Sequence, residues 1–76
     1  LKILAILKFI MKLSNKLKKY RTNAGLTQAD LADLVQVSRK TINTVENGVF
    51  VPSTKLSLSI AKILNQPVEE IFFLEI

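Results

Sequence analysis

The residues best suited to chemistry in this chain are cations and hydrogen-bond donors on one short segment. Arg39, Lys40, Asn43 and Thr44 fall on the outer face of a helix predicted to span the region just after residue 38. Guanidinium, ammonium, amide and hydroxyl groups can pair with phosphate oxygens and with the edges of bases. The segment therefore has the chemistry of a recognition surface, provided that neighbouring elements hold it in place.

Composition excludes several other kinds of chemistry. The 76 residues contain no Cys and no His, which rules out a disulfide framework, a zinc finger, a Cys nucleophile and His-based acid–base catalysis. The carboxylate pairs Asp30/Asp33 and Glu69/Glu70 have no third metal-ligating residue near them in the sequence, so we interpret them as helix-start and surface acids. The sequence predicts no enzyme, no metal site, no cofactor and no small-molecule ligand.

The charge of the chain is unevenly distributed. The formal net charge is +5, and seven Lys or Arg residues precede the first acidic residue, Asp30. From Asp30 onward the acids outnumber the bases. This asymmetry indicates a polyanionic partner, either nucleic acid or an anionic membrane surface, and the alternative is a solvated basic face without a partner.

Residues 1–13 differ from the rest because they are very apolar and are interrupted only by lysines. Three interpretations compete: an amphipathic helix on a membrane, an extension that covers a partner, or sequence upstream of a natural start at Met11. We favour the third, which divides the chain into an extension (1–13) and a domain (14–76). Lys8 and Lys12 interrupt the apolar run, and no membrane span is predicted.

From Ser14 onward, helix-start and helix-stop signals alternate with apolar positions at helical spacing. They predict an all-α fold of five short helices, the last of which is built on Val68 to about Leu74. The predicted first four helices are residues 15–24 after Ser14, residues 28–35 after Thr27, a third after Ser38 and a fourth after Ser53.

The second and third predicted helices are joined by a very short connection at Gln36 and Val37. This is the spacing of a helix-turn-helix, in which the second helix of the pair enters the major groove of DNA. Ala32 is small where the helices cross, and Val37, Ile42 and Val45 are apolar where the third helix must be held from below. The outer residues of that helix are then free to face base edges.

Several segments in the right order resemble the lambda-repressor-like, Cro/C1-type (XRE) family of DNA-binding proteins. The match covers about residues 14–73, through GLTQADLA at 25–32, VSRKTINTVENG at 37–48, PS at 52–53, IAKIL at 60–64 and VEEIF at 68–72. The resemblance implies a bundle of helices that binds double-stranded DNA in a sequence-specific way. It also implies a transcriptional regulator, a repressor, in the cytoplasm of a prokaryote.

The resemblance assigns roles where residues match the family's pattern. It implies base contacts by Arg39, Lys40 and Thr44. It implies phosphate contacts by Gln28, Thr41 and Asn47. It also implies a structural salt bridge between Arg21 and Glu46. Asn43 receives no role and is interpreted as solvent-facing.

Gln36 departs from the family's usual Gly in the turn. That backbone position commonly needs a positive φ, which costs a non-Gly residue about 1 kcal/mol. We therefore expect a small loss of stability there and no change of function.

A homodimer is expected, because one such domain has a small footprint on DNA. The apolar tail predicts its interface, formed by the fifth helix with Ile71, Phe72, Phe73 and Leu74. Two other functions stay open. One is an antitoxin-type interaction module with secondary DNA binding, and the other is membrane association through residues 1–21.

Overall fold

The chain folds into a helical body whose two ends meet in a small antiparallel sheet. The structure is a computed structural model that describes residues 2–75, without the side chains of residues 7–10. Leu1 and Ile76, the outer ends of the predicted segments 1–13 and 14–76, lie outside the described residues. The elements are α1 (Lys2–Ile10), β1 (Lys12–Asn15), α2 (Leu17–Asn23), α3 (Gln28–Val35), α4 (Arg39–Glu46), α5 (Thr54–Leu64), α6 (Val68–Ile71) and β2 (Phe72–Glu75).

The central helices begin where the sequence predicts them. Thr27 and Asp30 form a capping box, in which the Thr27 hydroxyl accepts from the Asp30 N–H at 3.0 Å and the Asp30 carboxylate accepts from the Thr27 N–H at 2.9 Å. Ser38 and Ser53 cap α4 and α5, because each hydroxyl accepts a hydrogen bond at 3.1 Å from the backbone N–H of the residue three positions later. These predictions are confirmed because capping depends on neighbours in sequence only.

The predicted first helix is wrong at its start. Ser14 does not cap a helix; it lies in β1, where it pairs with Phe73 of β2. The helix α2 begins at Leu17, whose N–H donates to Asn15 Oδ1 at 3.0 Å. Pairing with a strand from the far end of the chain supplies the backbone partners that a helical turn would otherwise provide, and no local signal reveals that strand.

The predicted last helix is too long, and its correction changes the fold class. α6 ends at Ile71, and the backbone becomes extended at Phe72, with φ −119° and ψ 126°. β2 then pairs with β1 in a register that sets Leu74 opposite Leu13. The described residues thus form six helices and a two-stranded sheet in place of an all-α fold of five helices. Aromatic residues at Phe72 and Phe73 suit a strand when a partner is available.

The core lies between α2, α3, α4, α5 and α6. Its ten apolar residues are at most 8% exposed: Leu17, Leu31, Ala32, Ile42, Val45, Leu56, Ile60, Ala61, Leu64 and Ile71. Ile42 and Val45, predicted to hold α4 from below, are 0% and 1% exposed, and Val37 is partly buried against the core. Full burial of a side chain such as Ile42 contributes roughly 1.5–3 kcal/mol, so α4 is fixed chiefly from its inner face.

The position of the C-terminal tail corrects part of the predicted dimer interface. Ile71 is 0% exposed and belongs to the core, so its side chain is not available to a partner. Phe72 and Phe73 are half-buried, and their backbone is occupied by the pairing with β1. Of the four predicted interface residues, Leu74 is the one with a large exposed fraction, at 60%.

The N-terminal segment divides into α1 and the first half of β1. The side chains from Lys2 to Ile6 are exposed, whereas Lys12 and Leu13 pair with Glu75 and Leu74. The predicted division between residues 13 and 14 therefore falls within a strand. Among the described residues, no helix combines the length and the apolar character that crossing a membrane requires.

Candidate nucleic-acid interface

α3 and α4 are joined by a tight turn that sets the angle between them. Gln36 ends α3 in the left-handed conformation at φ 60°, which confirms the positive φ predicted for it. The Val37 N–H donates to the Ala32 carbonyl at 3.0 Å, and Ser38 then caps α4. This Schellman-like ending takes the chain from α3 to α4 within three residues, Gln36 to Ser38, and the two helices contact each other.

The outer face of α4 carries the cations that the sequence singled out. Arg39, Lys40 and Asn43 are exposed, while Ile42 and Val45 face the core. Two positive charges near the start of the helix thus project from a surface that is anchored on its opposite side. Such a face has the size and polarity to enter a major groove.

The threonines of α4 are less free than the sequence suggests. Thr44 Oγ1 donates to the carbonyls of Lys40 and Thr41, both at 3.0 Å, so its hydrogen stays within the helix. Thr41 Oγ1 lies 2.9 Å from Ser38 Oγ at the cap. Thr44 can therefore present its methyl group and an oxygen lone pair to a partner, but no hydroxyl hydrogen in this conformation.

A buried ion pair connects α4 to α2. Arg21 is 7% exposed, its Nε donates to Glu46 Oε2, and its Nη2 donates to Glu46 Oε1 at 3.2 Å. Arg21 Nη1 donates to the Leu26 carbonyl at 2.8 Å. Arg21 is thus directed into the protein and away from the outer face of α4. Its guanidinium holds the last turn of α4 against the loop that precedes α3.

Gln28 extends this network onto the outer face. Its Nε2 donates to Glu46 Oε1 at 3.0 Å and to Asn43 Oδ1 at 3.2 Å. The first residue of α3 is thereby tied to two positions of α4, and the helix pair is held together by polar contacts as well as by the core. The position of Gln28 beside α4 agrees with a buttressing role, and both of its amide hydrogens are used inside the protein.

Two residues of this region received no role from the sequence. The sequence predicts that Asn43 faces solvent, whereas in the structure its Oδ1 also accepts a hydrogen bond from Gln28 Nε2. Asn15 Nδ2 donates to the Val45 carbonyl at 3.0 Å, which links β1 to the last turn of α4. The i, i+3 spacing of Asn43 and Glu46 places them on one helical face and could have indicated a shared partner for Asn43. Nothing local could have indicated that of Asn15.

Asn47 lies at the end of α4 and leads into an exposed loop. Its backbone N–H donates to the Asn43 carbonyl at 3.1 Å, and its side chain is exposed. The N–H groups of Val49 and Phe50 then both donate to the Thr44 carbonyl, at 2.9 and 3.2 Å. Gly48, at φ 72°, allows the chain to make this turn.

One acidic group lies at the start of α3. A hydrogen bond from the Thr27 backbone N–H lowers the pKa of Asp30 below its ordinary value, and a hydrogen bond with the Thr27 hydroxyl adds a smaller lowering. Desolvation raises the pKa, but by less. Asp30 is therefore a carboxylate at neutral pH, and its negative charge is used in the capping box at the positive N-terminal end of α3. The cations of this helix pair, Arg39 and Lys40, both lie on α4.

Comparison with known proteins places this arrangement in context. A helix-turn-helix family model matches residues 17–71. The chain is 48% identical over 63 residues to an uncharacterised helix-turn-helix transcriptional regulator of Methanocaldococcus jannaschii, which covers 83% of this chain and 96% of that protein. It is 38% identical over 63 residues to the uncharacterised regulator YgzD of Bacillus subtilis, with the same coverage of 83% and 96%.

Two solved structures share the fold. The clp gene regulator ClgR of Corynebacterium glutamicum superposes with a TM-score of 0.67 at 28% identity, covering 71% of this chain and 57% of that one. The restriction-modification controller protein C.AhdI of Aeromonas hydrophila also gives a TM-score of 0.67, at 33% identity, covering 71% of this chain and 82% of that one. This chain therefore spans little more than half the length of ClgR and most of C.AhdI.

Proposed function

The chain belongs to the Cro/C1-type (XRE) helix-turn-helix family of transcriptional regulators, and from that membership we propose that it represses transcription by binding a specific sequence in double-stranded DNA. The observation that carries the proposal is the exposed outer face of α4, with Arg39 and Lys40 projecting from a helix whose opposite face is buried. Members of this family are DNA-binding regulators, and no catalytic role is proposed for this chain.

Base recognition is assigned to α4. Arg39 can donate two hydrogen bonds to a guanine, a contact worth about 1–3 kcal/mol of discrimination against a wrong base. Lys40 adds a second cation, and the Thr44 methyl is suited to the methyl group of a thymine because its hydroxyl hydrogen is used within the helix. Occupancy of the site by the protein would then block transcription.

Phosphate contacts are assigned to both flanks of α4. Gln28 occupies the first position of α3, where backbone N–H groups have no acceptor within the helix, so its main chain is the part suited to a phosphate. Thr41 and the exposed side chain of Asn47 are assigned to phosphates nearer α4. Phosphate contacts by lysine and arginine side chains in general release counterions, which makes the affinity fall as salt rises.

Selection of binding sites from random double-stranded DNA tests the proposal. The wild type should enrich a defined motif, Arg39→Ala should lose preference at one or more positions of it, and Lys55→Ala, which removes an exposed cation from α5, should keep the motif. Equal and sequence-blind weakening in both variants would contradict base reading by α4. Absence of any enriched motif for the wild type would contradict the proposed function as a whole.

A homodimer on two half-sites is part of the proposal, since a single domain presents few base contacts. Leu74 is 60% exposed and pairs across the sheet with Leu13, which is 37% exposed, so this part of the predicted tail remains suited to a partner surface. Sedimentation of the wild type and of Leu74→Ser, at high concentration without DNA, tests it. A monomeric wild type would contradict the dimer.

Because such a regulator acts on the chromosome of a prokaryote, we also propose a cytoplasmic location.

A further inference from the structure

Asn43 is held in a definite orientation by a chain of polar contacts that begins in the core. Arg21 can only donate, so the groups facing it must accept, and Glu46 does so with both carboxylate oxygens. A carboxylate has no hydrogen to give, so the Gln28 amide must face Glu46 with its nitrogen, Nε2, at 3.0 Å. The direction of the Gln28 amide is therefore set by the buried ion pair.

The same reasoning sets the direction of the Asn43 amide. Gln28 Nε2 lies 3.2 Å from Asn43 and carries its second hydrogen, so the Asn43 atom that faces it must be the oxygen, Oδ1. Asn43 Nδ2 then points the other way, toward solvent on the exposed face of α4. Within the described part of the chain, Nδ2 has no protein acceptor. The network thus ends in a fixed group with two hydrogens that only an outside acceptor can take.

On the basis of the proposed function, we propose that Asn43 contacts DNA by donating a hydrogen bond from Nδ2 to a phosphate oxygen of the strand beside the first turn of α3. Phosphate oxygens act only as acceptors, which matches a group presented only as a donor. Asn43 lies one turn after Arg39 and faces Gln28 on α3, so it sits at the side of α4 toward α3 rather than at its outermost line. The backbone of the duplex passes such a flank when α4 lies in the groove.

The use of the Gln28 amide inside the protein strengthens the assignment. Both hydrogens of Gln28 Nε2 are donated to Glu46 and Asn43, so the Gln28 side chain presents only its carbonyl oxygen outward. A carbonyl oxygen cannot bond a phosphate oxygen, because neither carries a hydrogen. The side-chain donor at this flank is consequently Asn43, and Gln28 acts as its positioning residue.

Substitution of Asn43 tests the contact through the affinity for the selected DNA site. Asn43→Ala should weaken binding roughly tenfold, as expected for loss of one hydrogen bond to a charged group. Asn43→Asp has nearly the same shape but lacks both hydrogens and adds a negative charge, so it should weaken binding more. Asn23→Ala, at an exposed asparagine of α2, is the matched control and should bind like the wild type.

The selected sequence motif distinguishes a phosphate contact from a base contact. Loss of a phosphate contact should weaken binding to all sites alike and leave the motif of Asn43→Ala unchanged. A motif altered at one position would overturn the phosphate assignment, and wild-type affinity in both Asn43 variants would overturn the contact itself. If the wild type selects no motif, the proposed function fails first, which is a separate outcome from unchanged binding by the variants.

A double-mutant cycle tests the positioning by Gln28. Gln28→Met keeps much of the side-chain volume and removes both donors, so Asn43 is free to turn its amide. The effect of Asn43→Ala on DNA affinity should then be clearly smaller in the Gln28→Met background than in the wild type. An equal effect in both backgrounds would refute the role of Gln28. Thermal unfolding of each variant, followed by circular dichroism, verifies that the proteins compared are folded.

Discussion

Replacement of Arg21 by methionine should be among the most damaging single changes to this fold. Arg21→Met removes the two guanidinium contacts to Glu46 and the contact to the Leu26 carbonyl, while the Glu46 carboxylate, whose side chain is 4% exposed, keeps only its bond from Gln28. Breaking a buried pair by removing one partner typically costs 3–5 kcal/mol, and the remaining donor places the expected loss near the lower end, at about 3 kcal/mol.

This loss is large relative to the stability of a small domain. A domain of this size shifts its melting temperature by roughly 4–8 °C per kcal/mol, so a loss of about 3 kcal/mol should make Arg21→Met melt roughly 12–24 °C below the wild type. Urea unfolding followed by circular dichroism gives the free energy of unfolding directly. Since a buried pair is poorly screened by ions, the difference between variant and wild type should be nearly the same in 0.1 M and about 1 M salt.

The matched control is the double variant Arg21→Met/Glu46→Met. Because it removes the carboxylate together with its partner, it should be more stable than Arg21→Met alone. A loss below about 1 kcal/mol for Arg21→Met, the value typical of exposed pairs, would refute the reasoning. So would a double variant less stable than the single one, since the damage would then not come from an uncompensated buried charge.

Three further predictions concern the turns and caps. Gln36→Gly should raise the free energy of unfolding by roughly 0.5–1 kcal/mol, because Gln36 has a positive φ. Asn65→Gly, at φ 54°, should raise it less, since Asn tolerates this region of the backbone better. Denaturant midpoints of the two variants and the wild type test both expectations. Ser53→Ala should cost about 1 kcal/mol by leaving the Leu56 N–H without its cap, with Ser57→Ala in the following turn as the control, and thermal melts detect the loss. Because the pKa of Asp30 is lower in the folded state, its carboxylate contributes to stability fully above its unfolded-state pKa, and this contribution is lost as the pH falls through the folded-state pKa. Asp30→Asn should therefore have a lower free energy of unfolding than the wild type at neutral pH. The difference should narrow in acid when unfolding is measured across a pH series.

The parts of the fold that could be predicted are those set by near neighbours in sequence. Thr27, Ser38 and Ser53 each cap a helix through a bond to a residue three positions later, so the residue types alone were enough. The positive φ of Gln36 followed from the short connection between two helices and its resemblance to a known turn. The burial of Ile42 and Val45 followed from their spacing on one helical face.

The sheet could not be predicted because its strands come from opposite ends of the chain. Asn15 pairs with Phe72, and either segment taken alone has apolar residues compatible with a short helix. Only when both are present does the pairing satisfy their backbone groups. For the same reason, the tail that the sequence predicts as an interface contributes Ile71 to the core and Phe72 to the sheet.

The sequence by itself determined a helix-turn-helix with cations on the outer face of its second helix, because capping, turn geometry and helical periodicity act over a few residues. Only the tertiary structure decided which polar groups on that face are free. Arg21, Glu46, Gln28 and Asn43 come from three helices, and each hydrogen donated within this set is withdrawn from any outside partner. Hydrogen-bond capacity is finite for each group, so the donors left for DNA are known only after all the internal contacts have been made.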